Sequence, residues 1–180
     1  MKVISTKLPG LLVIHPNVFE DPRGYFFESY NKEIFFKQGI ATEFIQDNQS
    51  LSHKGVLRGL HFQNPPYAQS KLVRVITGSV LDVVVDIRKE SPTYGQHFSE
   101  TLSAHNKTMM YIPTGFAHGF LVLEDNTTFF YKCSNLYNKA SEDSILWGDP
   151  DLNINWGIAN PLLSDKDKMS KKFKDFVSQF

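Results

Sequence analysis

Lys71-Leu72-Val73-Arg74-Val75-Ile76-Thr77-Gly78-Ser79-Val80-Leu81-Asp82-Val83-Val84-Val85-Asp86-Ile87 carries the densest β signal in the chain. β-Branched residues stiffen χ1 and suit a pleated, half-buried surface, so 71–76 and 80–87 read as strands. Thr77-Gly78-Ser79 is a turn, and two such runs on either side of it predict a hairpin.

Phe98–Leu102, Met109–Ile112, His118–Leu123 and Thr127–Cys133 repeat the strand signal at short, turn-separated intervals. That spacing predicts an antiparallel sandwich or barrel rather than βαβ units. Upstream, Val13-Ile14 leads into the apolar stretch Phe19–Phe27, broken by the turn-prone Asp21-Pro22-Arg23-Gly24. Asn31 is a suitable cap for a short helix over 32–38, stopped by Gly39, and 44–49 reads as extended. At the other end Met169, Phe173, Phe176, Val177 and Phe180 recur at helical spacing with Lys and Asp between them, which predicts a C-terminal amphipathic helix. No repeat, low-complexity tract or linker interrupts the 180 residues, so 1–180 is expected to form one domain.

Composition narrows the function. Lys+Arg and Asp+Glu both number 19, so the chain has no general attraction for nucleic acid or an anionic membrane, and any phosphate site must come from a few placed cations. The single cysteine, Cys133, excludes an intrachain disulfide and a multi-cysteine metal site. The N-terminus has too short an apolar run for a signal peptide, and no stretch approaches the roughly 18 apolar residues of a membrane span. A cytoplasmic protein is the expectation.

Three polar clusters interrupt the apolar strands. In Arg58-Gly59-Leu60-His61-Phe62-Gln63, regular alternation places His61 and Gln63 opposite Arg58, but a bulge or turn at Gly59 would bring Arg58 and His61 together. On this segment alone, a hydrogen-bonded core histidine beside a surface arginine is the favoured reading. Ile112-Pro113-Thr114-Gly115-Phe116-Ala117-His118-Gly119-Phe120 fits a loop feeding a strand that faces a cavity, and equally a histidine that fixes a turn. In Thr127–Tyr137, alternation places Phe129, Tyr131 and Cys133 on one face, so Tyr131 could point into a barrel; a buried tyrosine is more often hydrogen-bonded packing. Neither His61 nor His118 has a histidine two residues away, so a metal is not expected. Hydrolase elbows, P-loops and dinucleotide fingerprints are absent.

Taken in order, these segments resemble the dTDP-4-dehydrorhamnose 3,5-epimerase family. The likeness runs through Phe19-x-Asp21-x-Arg23-Gly24-x-Phe26-x-Glu28, Gln46-Asp47-Asn48-x-Ser50, 55–63, Lys71–Val75 and 112–120. It continues through Tyr131-Lys132, Trp147-x-Asp149-Pro150, Ile154-Asn155-Trp156 and Leu163–Asp167. The resemblance implies a mainly β, cupin-like double-stranded β-helix, a jelly-roll barrel with short helices. It implies a dTDP-linked 4-keto-6-deoxysugar as substrate, with dTDP-4-dehydro-6-deoxy-D-glucose converted to dTDP-4-dehydro-L-rhamnose.

It also implies roles at matching positions. His61 is the general base, paired with Asp167, and Tyr131 is the acid on the opposite face of the sugar. Lys71, with Arg58 nearby, stabilises the enolate. His118 lines the sugar pocket, while Gln46, Asn48, Glu142 and Lys166 bind substrate and Tyr137 stacks on the thymine. Phe19, Arg23, Phe26 and Glu28 fall in the N-terminal stretch that, in a family homodimer with exchanged strands, serves the neighbouring subunit's site. The chemistry is coherent: protons at C3 and C5 are acidic because C4 is a ketone, a cation meets the charge on O4, and inversion needs an acid on the other face. No cofactor or metal is required. A mono-epimerase of a related keto-sugar, a metal-dependent cupin enzyme and a non-catalytic sugar-binding cupin are the competing expectations.

Overall fold

A computed structural model describes residues 1–180. Six strands form one sheet in the order β1 (Lys2–Ser5), β2 (Leu12–His15), β10 (Met109–Ile112), β7 (Lys71–Thr77), β12 (Thr127–Cys133) and β5 (Gln46–Ser52). Five form a second: β13 (Glu142–Ser144), β6 (Leu57–Gln63), β11 (Phe116–Val122), β8 (Ser79–Asp86) and β9 (His97–Ser103). β3 (Phe19–Asp21) and β4 (Gly24–Phe26) make a separate hairpin around the Pro22-Arg23 turn. Every strand pairing is antiparallel, as expected for a cupin-like jelly roll rather than βαβ units.

The core has three layers. Between the sheets, Val13, Val73, Val75, Met110, Ile112 and Phe129 from the six-stranded side meet Val80, Val84, Leu102, Phe116, Phe120 and Val122 from the other. The outer face of the five-stranded sheet presents Leu57, Leu60, Phe62, Val83 and Val85, and the C-terminal segment covers it with Leu152, Trp156 and Phe176. Helix α1 (Lys32–Lys37) lays Phe35 over Ile14, Leu72 and Met109 on the far side of the six-stranded sheet. Asn31 caps α1, its side chain accepting from the amides of Glu33 and Ile34. The unbroken valine run of β8 follows from this layering: Val80 and Val84 face the interior while Val83 and Val85 face the C-terminal cover.

Two expectations are overturned. The strands 71–77 and 79–86 are not a hairpin. β7 lies between β10 and β12 in one sheet, and β8 lies between β11 and β9 in the other. Gly78 (φ +76°) is therefore a corner where the chain crosses between sheets, and a Cβ there would meet Thr127 Oγ1 at 2.1 Å. β-Propensity identifies strands but not their partners; here each strand gains two neighbours and two covered faces by separating.

The C-terminal amphipathic helix does not form either. Only α2 (Asp165–Lys168) and a 3-10 turn at Phe173–Asp175 are helical. Phe176 and Phe180 dock separately on Phe62, with ring centroids 5.3 and 6.4 Å away, while Met169 and Val177 face solvent. The backbone is anchored along its length: Leu146 N donates to Lys171 O (2.8 Å), Phe173 N to Asp149 Oδ2 (2.8 Å) and Lys89 N to Phe180 O (3.0 Å). An open segment reaches farther across the sheet than a helix rising ~1.5 Å per residue, so the same aromatics cover more apolar surface.

Candidate active site between the sheets

At one end of the sandwich the sheets part around a cavity of about 180 Å³. Its lining comes from both walls: His61, Phe62 and Gln63 of β6, Gln46 and Asn48 of β5, Lys71 of β7 and Tyr131 of β12, with Gln69, Tyr137 and Glu142 at the rim. The cavity lies below the roughly 300–1,000 Å³ of a pocket that encloses a drug-sized ligand. It can hold one end of such a ligand and leaves the rest over the rim.

His61 reaches this space through a break in the alternation of β6. The pairing of β6 with β11 shifts between Arg58↔Phe120 and His61↔His118. Leu57, Leu60 and Phe62 all pack in the outer layer, so the irregularity at Gly59 puts Arg58 and His61 on the same, inward side, as the bulge reading expects. Gly59 has φ +141°, and a Cβ there would lie 2.5 Å from Gly119 Cα. Only glycine allows this approach of two backbones.

His61 Nε2 lies 2.5 Å from Asp167 Oδ1. Asp167 is buried and aimed from both sides: Ser164 Oγ donates to its Oδ2 (2.7 Å) and accepts from its amide (3.1 Å), capping α2. Burial pushes the Asp167 carboxyl up, but hydrogen bonds from His61 and Ser164 outweigh it, and the net shift is downward. An ionised Asp167 accepts a hydrogen bond from Nε2–H, which leaves the imidazole's Nδ1 lone pair free, the tautomer of a base.

Across the cavity Tyr131 hangs from the other sheet, its ring against Phe129 (centroids 6.0 Å apart). Burial raises its pKa, and Cys133 and Glu142 add to that while Arg58 opposes it. Lys71 Nζ lies 5.9 Å from the Tyr131 ring centroid. Burial lowers the Lys71 pKa, against the pull of Cys133, Asp82 and Glu142.

On the rim, Glu142 joins Lys166 by a very short ion pair and accepts from the Tyr137 hydroxyl (2.9 Å). Burial raises the Glu142 carboxyl, but these two partners bring it below its ordinary value. Gln46 Nε2 donates to Asn48 Oδ1 (3.1 Å).

Other expected residues lie elsewhere. His118 does not line the cavity; it is 6% exposed beneath it, with Nε2 2.9 Å from both Asp82 oxygens. Burial raises the Asp82 carboxyl against the opposing charges of His118 and Lys71. Arg58 is exposed at the edge, where Nε and Nη2 donate to Ser52 Oγ (3.2 Å each). Phe19, Arg23, Phe26 and Glu28 belong to the β3–β4 region and do not enter this cavity. Phe19 and Phe26 are 65% and 66% exposed, and Arg23 pairs only with Asp21. Gln63, Gln69 and Asp82 are not evident as site residues from the sequence. An aspartate inside the valine run of β8 is the one signal that marked any of them. No group of three or more His, Cys, Asp or Glu side chains converges as metal ligands would, and no helix is long and apolar enough to cross a membrane.

A jelly-roll barrel with a carboxylate-backed histidine on one wall, a phenol on the other and a lysine beside the phenol defines a cupin-like protein equipped to move protons next to a carbonyl. Residues 5–175 match the sequence model of dTDP-4-dehydrorhamnose 3,5-epimerase, and the chain belongs to that family. It is 54% identical over 176 residues to the dTDP-4-dehydrorhamnose 3,5-epimerase of Shigella flexneri, with 97% of each chain covered. Among solved structures, dTDP-6-deoxy-D-glucose-3,5-epimerase from Legionella pneumophila in complex with dTDP-4-keto-L-rhamnose superposes with a TM-score of 0.94. It shares 44% identity, covering 98% of this chain and 94% of that one. A 3'-monoepimerase from Streptomyces bikiniensis in complex with dTDP-quinovose shares the fold at a TM-score of 0.87 and 36% identity, over 93% and 85%.

Proposed function

We infer that this protein is a dTDP-4-dehydrorhamnose 3,5-epimerase, an isomerase that converts dTDP-4-dehydro-6-deoxy-D-glucose to dTDP-4-dehydro-L-rhamnose. The observation that carries the mechanism is that His61 and Tyr131 project from different sheets into one cavity. A sugar ring held between them meets a base on one face and an acid on the other, which is what inversion at carbon demands.

His61 takes the proton from C5 or C3 on Nδ1, while Asp167 holds the ring and meets the imidazolium charge that forms. The electron pair moves onto O4 as an enolate. Lys71 supplies the cation there, worth most in a partly dry site. Tyr131, held protonated by burial, donates to the opposite face. His61 then releases its proton to solvent and Tyr131 regains one, so a repeat at the second carbon completes the double inversion. Gln46, Asn48, Glu142 and Lys166 bind the substrate's polar groups and Tyr137 stacks on the base over the rim, with Arg58 at the cavity edge. No redox step enters this chemistry.

Residues 1–180 act as one domain and work as a homodimer. The exposed Phe19 and Phe26, with Arg23 and Glu28, then serve the partner's nucleotide. Their distance from this chain's own cavity supports that arrangement.

The test is to incubate the protein with the keto-sugar nucleotide in D2O and follow the sugar by NMR. Deuterium at both C3 and C5, with the L-configured product, is expected. Incorporation at C3 alone would make it a mono-epimerase, and none at either position in folded protein would overturn the reading. Solution mass by light scattering tests the dimer.

A further inference from the structure

Gln63 ends β6 two residues after His61 and is 5% exposed, yet its carboxamide is almost fully used. Nε2 donates to Tyr67 O (2.6 Å) and Leu136 O (3.2 Å), and Oε1 accepts from Asn138 N (2.7 Å). Leu136 O and Asn138 N belong to the peptide units on either side of Tyr137. Tyr137 itself is 56% exposed, so packing does little to place it. Its remaining restraints are also hydrogen bonds: its amide donates to Gln46 Oε1 (2.9 Å) and its hydroxyl to Glu142 Oε2 (2.9 Å).

Other bonds tie the 64–70 loop to the 134–141 loop, among them Gln69 Nε2 to Asn135 O (2.8 Å) and Asn135 Nδ2 to Pro66 O (3.2 Å). None of them grips both sides of Tyr137. From these contacts we propose that Gln63 is a positioning residue for the nucleotide end of the substrate: it clamps the backbone flanking Tyr137 and sets that ring at a fixed reach from His61. The proposal rests on the functional reading above, in which Tyr137 receives the base.

Gln63 would therefore act on binding more than on the chemical step. A ring placed in advance binds without the cost of ordering its loop, whereas His61, Asp167 and Tyr131 are held by other partners. Gln63→Met keeps the length of the side chain and removes all three hydrogen bonds. Calorimetry with dTDP alone should show affinity about tenfold weaker, the scale of one to two net hydrogen bonds. KM for the keto-sugar nucleotide should rise by a similar factor while kcat stays within about twofold. In a Tyr137→Ala background, adding Gln63→Met should cost little more, because the clamp then has nothing to place.

Unchanged dTDP affinity in Gln63→Met, a fall in kcat with KM unchanged, or equal losses with and without Tyr137 would each overturn the proposal. Gln63→Glu, which keeps the acceptor for Asn138 and gives up both donors, is the second variant and should shift affinity in the same direction. Failure of both to fold would make Gln63 structural and overturn the proposal as well. Wild-type protein that binds no dTDP marks failure of the functional reading; wild-type binding matched by Gln63→Met marks failure of this inference alone.

Discussion

His61 and Asp167, 106 positions apart in the chain, meet with Nε2 2.5 Å from Oδ1. The strand that carries His61 and the four-residue helix that carries Asp167 have no local reason to be neighbours. Their contact follows from the C-terminal segment folding back over the outer face of the five-stranded sheet. The proposed base and the carboxylate that would orient it therefore come from two different layers of the fold.

His61→Asn should lower proton exchange at C5 by about 10²–10⁴-fold, the usual worth of a positioned general base, with dTDP binding largely kept. Asp167→Asn should produce a smaller loss, because the base remains while its tautomer and orientation are no longer fixed. NMR exchange rates in D2O read both.

Tyr131→Phe should fold normally, since the ring and its packing on Phe129 remain. Product formation should fall about 10²–10⁴-fold for loss of the acid. Because burial raises the Tyr131 pKa, the wild-type rate should show no loss attributable to this phenol below pH ~10. A steady-state rate comparison from pH 6 to 9 checks this.

Lys71 must be charged to meet an enolate, and burial lowers its pKa. A group with a depressed basic pKa loses its proton as pH rises, so the alkaline limb of kcat should begin below the ~10.4 of an ordinary lysine. Lys71→Arg should move that limb upward, and Lys71→Met should abolish turnover; a pH–rate profile separates them.

Asp86 illustrates a structural ion pair. Burial raises its carboxyl, but Arg88, Ser91 and Thr93 outweigh this and bring the pKa to about 2. A depressed acid contributes stability above its unfolded value of ~3.9 and loses it as pH falls through about 2. The shift corresponds to about 2–3 kcal/mol at neutral pH. Asp86→Asn should lower stability at pH 7 by at least that amount and remove this part of the acid dependence, as urea melts between pH 2 and 7 would show.

Gly59→Ala places a Cβ 2.5 Å from Gly119 Cα, backbone against backbone, at φ +141°. Neither chain can yield without breaking the β6–β11 pairing. Destabilisation above ~4 kcal/mol is expected, in the range reserved for overpacked or strained sites. Thermal melts or the yield of folded protein measure it.

The features legible from the sequence alone are local. β-Branched runs marked the strands, Asn31 and Gly39 bounded α1, and Asp21–Gly24 formed the tight turn, because each of these depends on backbone preferences a few residues wide. The family likeness placed His61, Asp167, Lys71 and Tyr131 in one site before any contact was visible. Tertiary structure decided which strands pair. The 71–86 stretch split between sheets because each of its strands found two neighbours there. Likewise, Phe173, Phe176 and Phe180 followed the sheet surface instead of a helix, since docking separately covers more of it. Gln63 and Asp82 stayed silent for the same reason: a buried polar group takes its meaning from partners that only the folded chain brings within reach. So too with His61 itself, whose spacing alone fits a core histidine. In the proposed mechanism it serves as a base because Asp167 stands behind it and Tyr131 faces it from the other sheet.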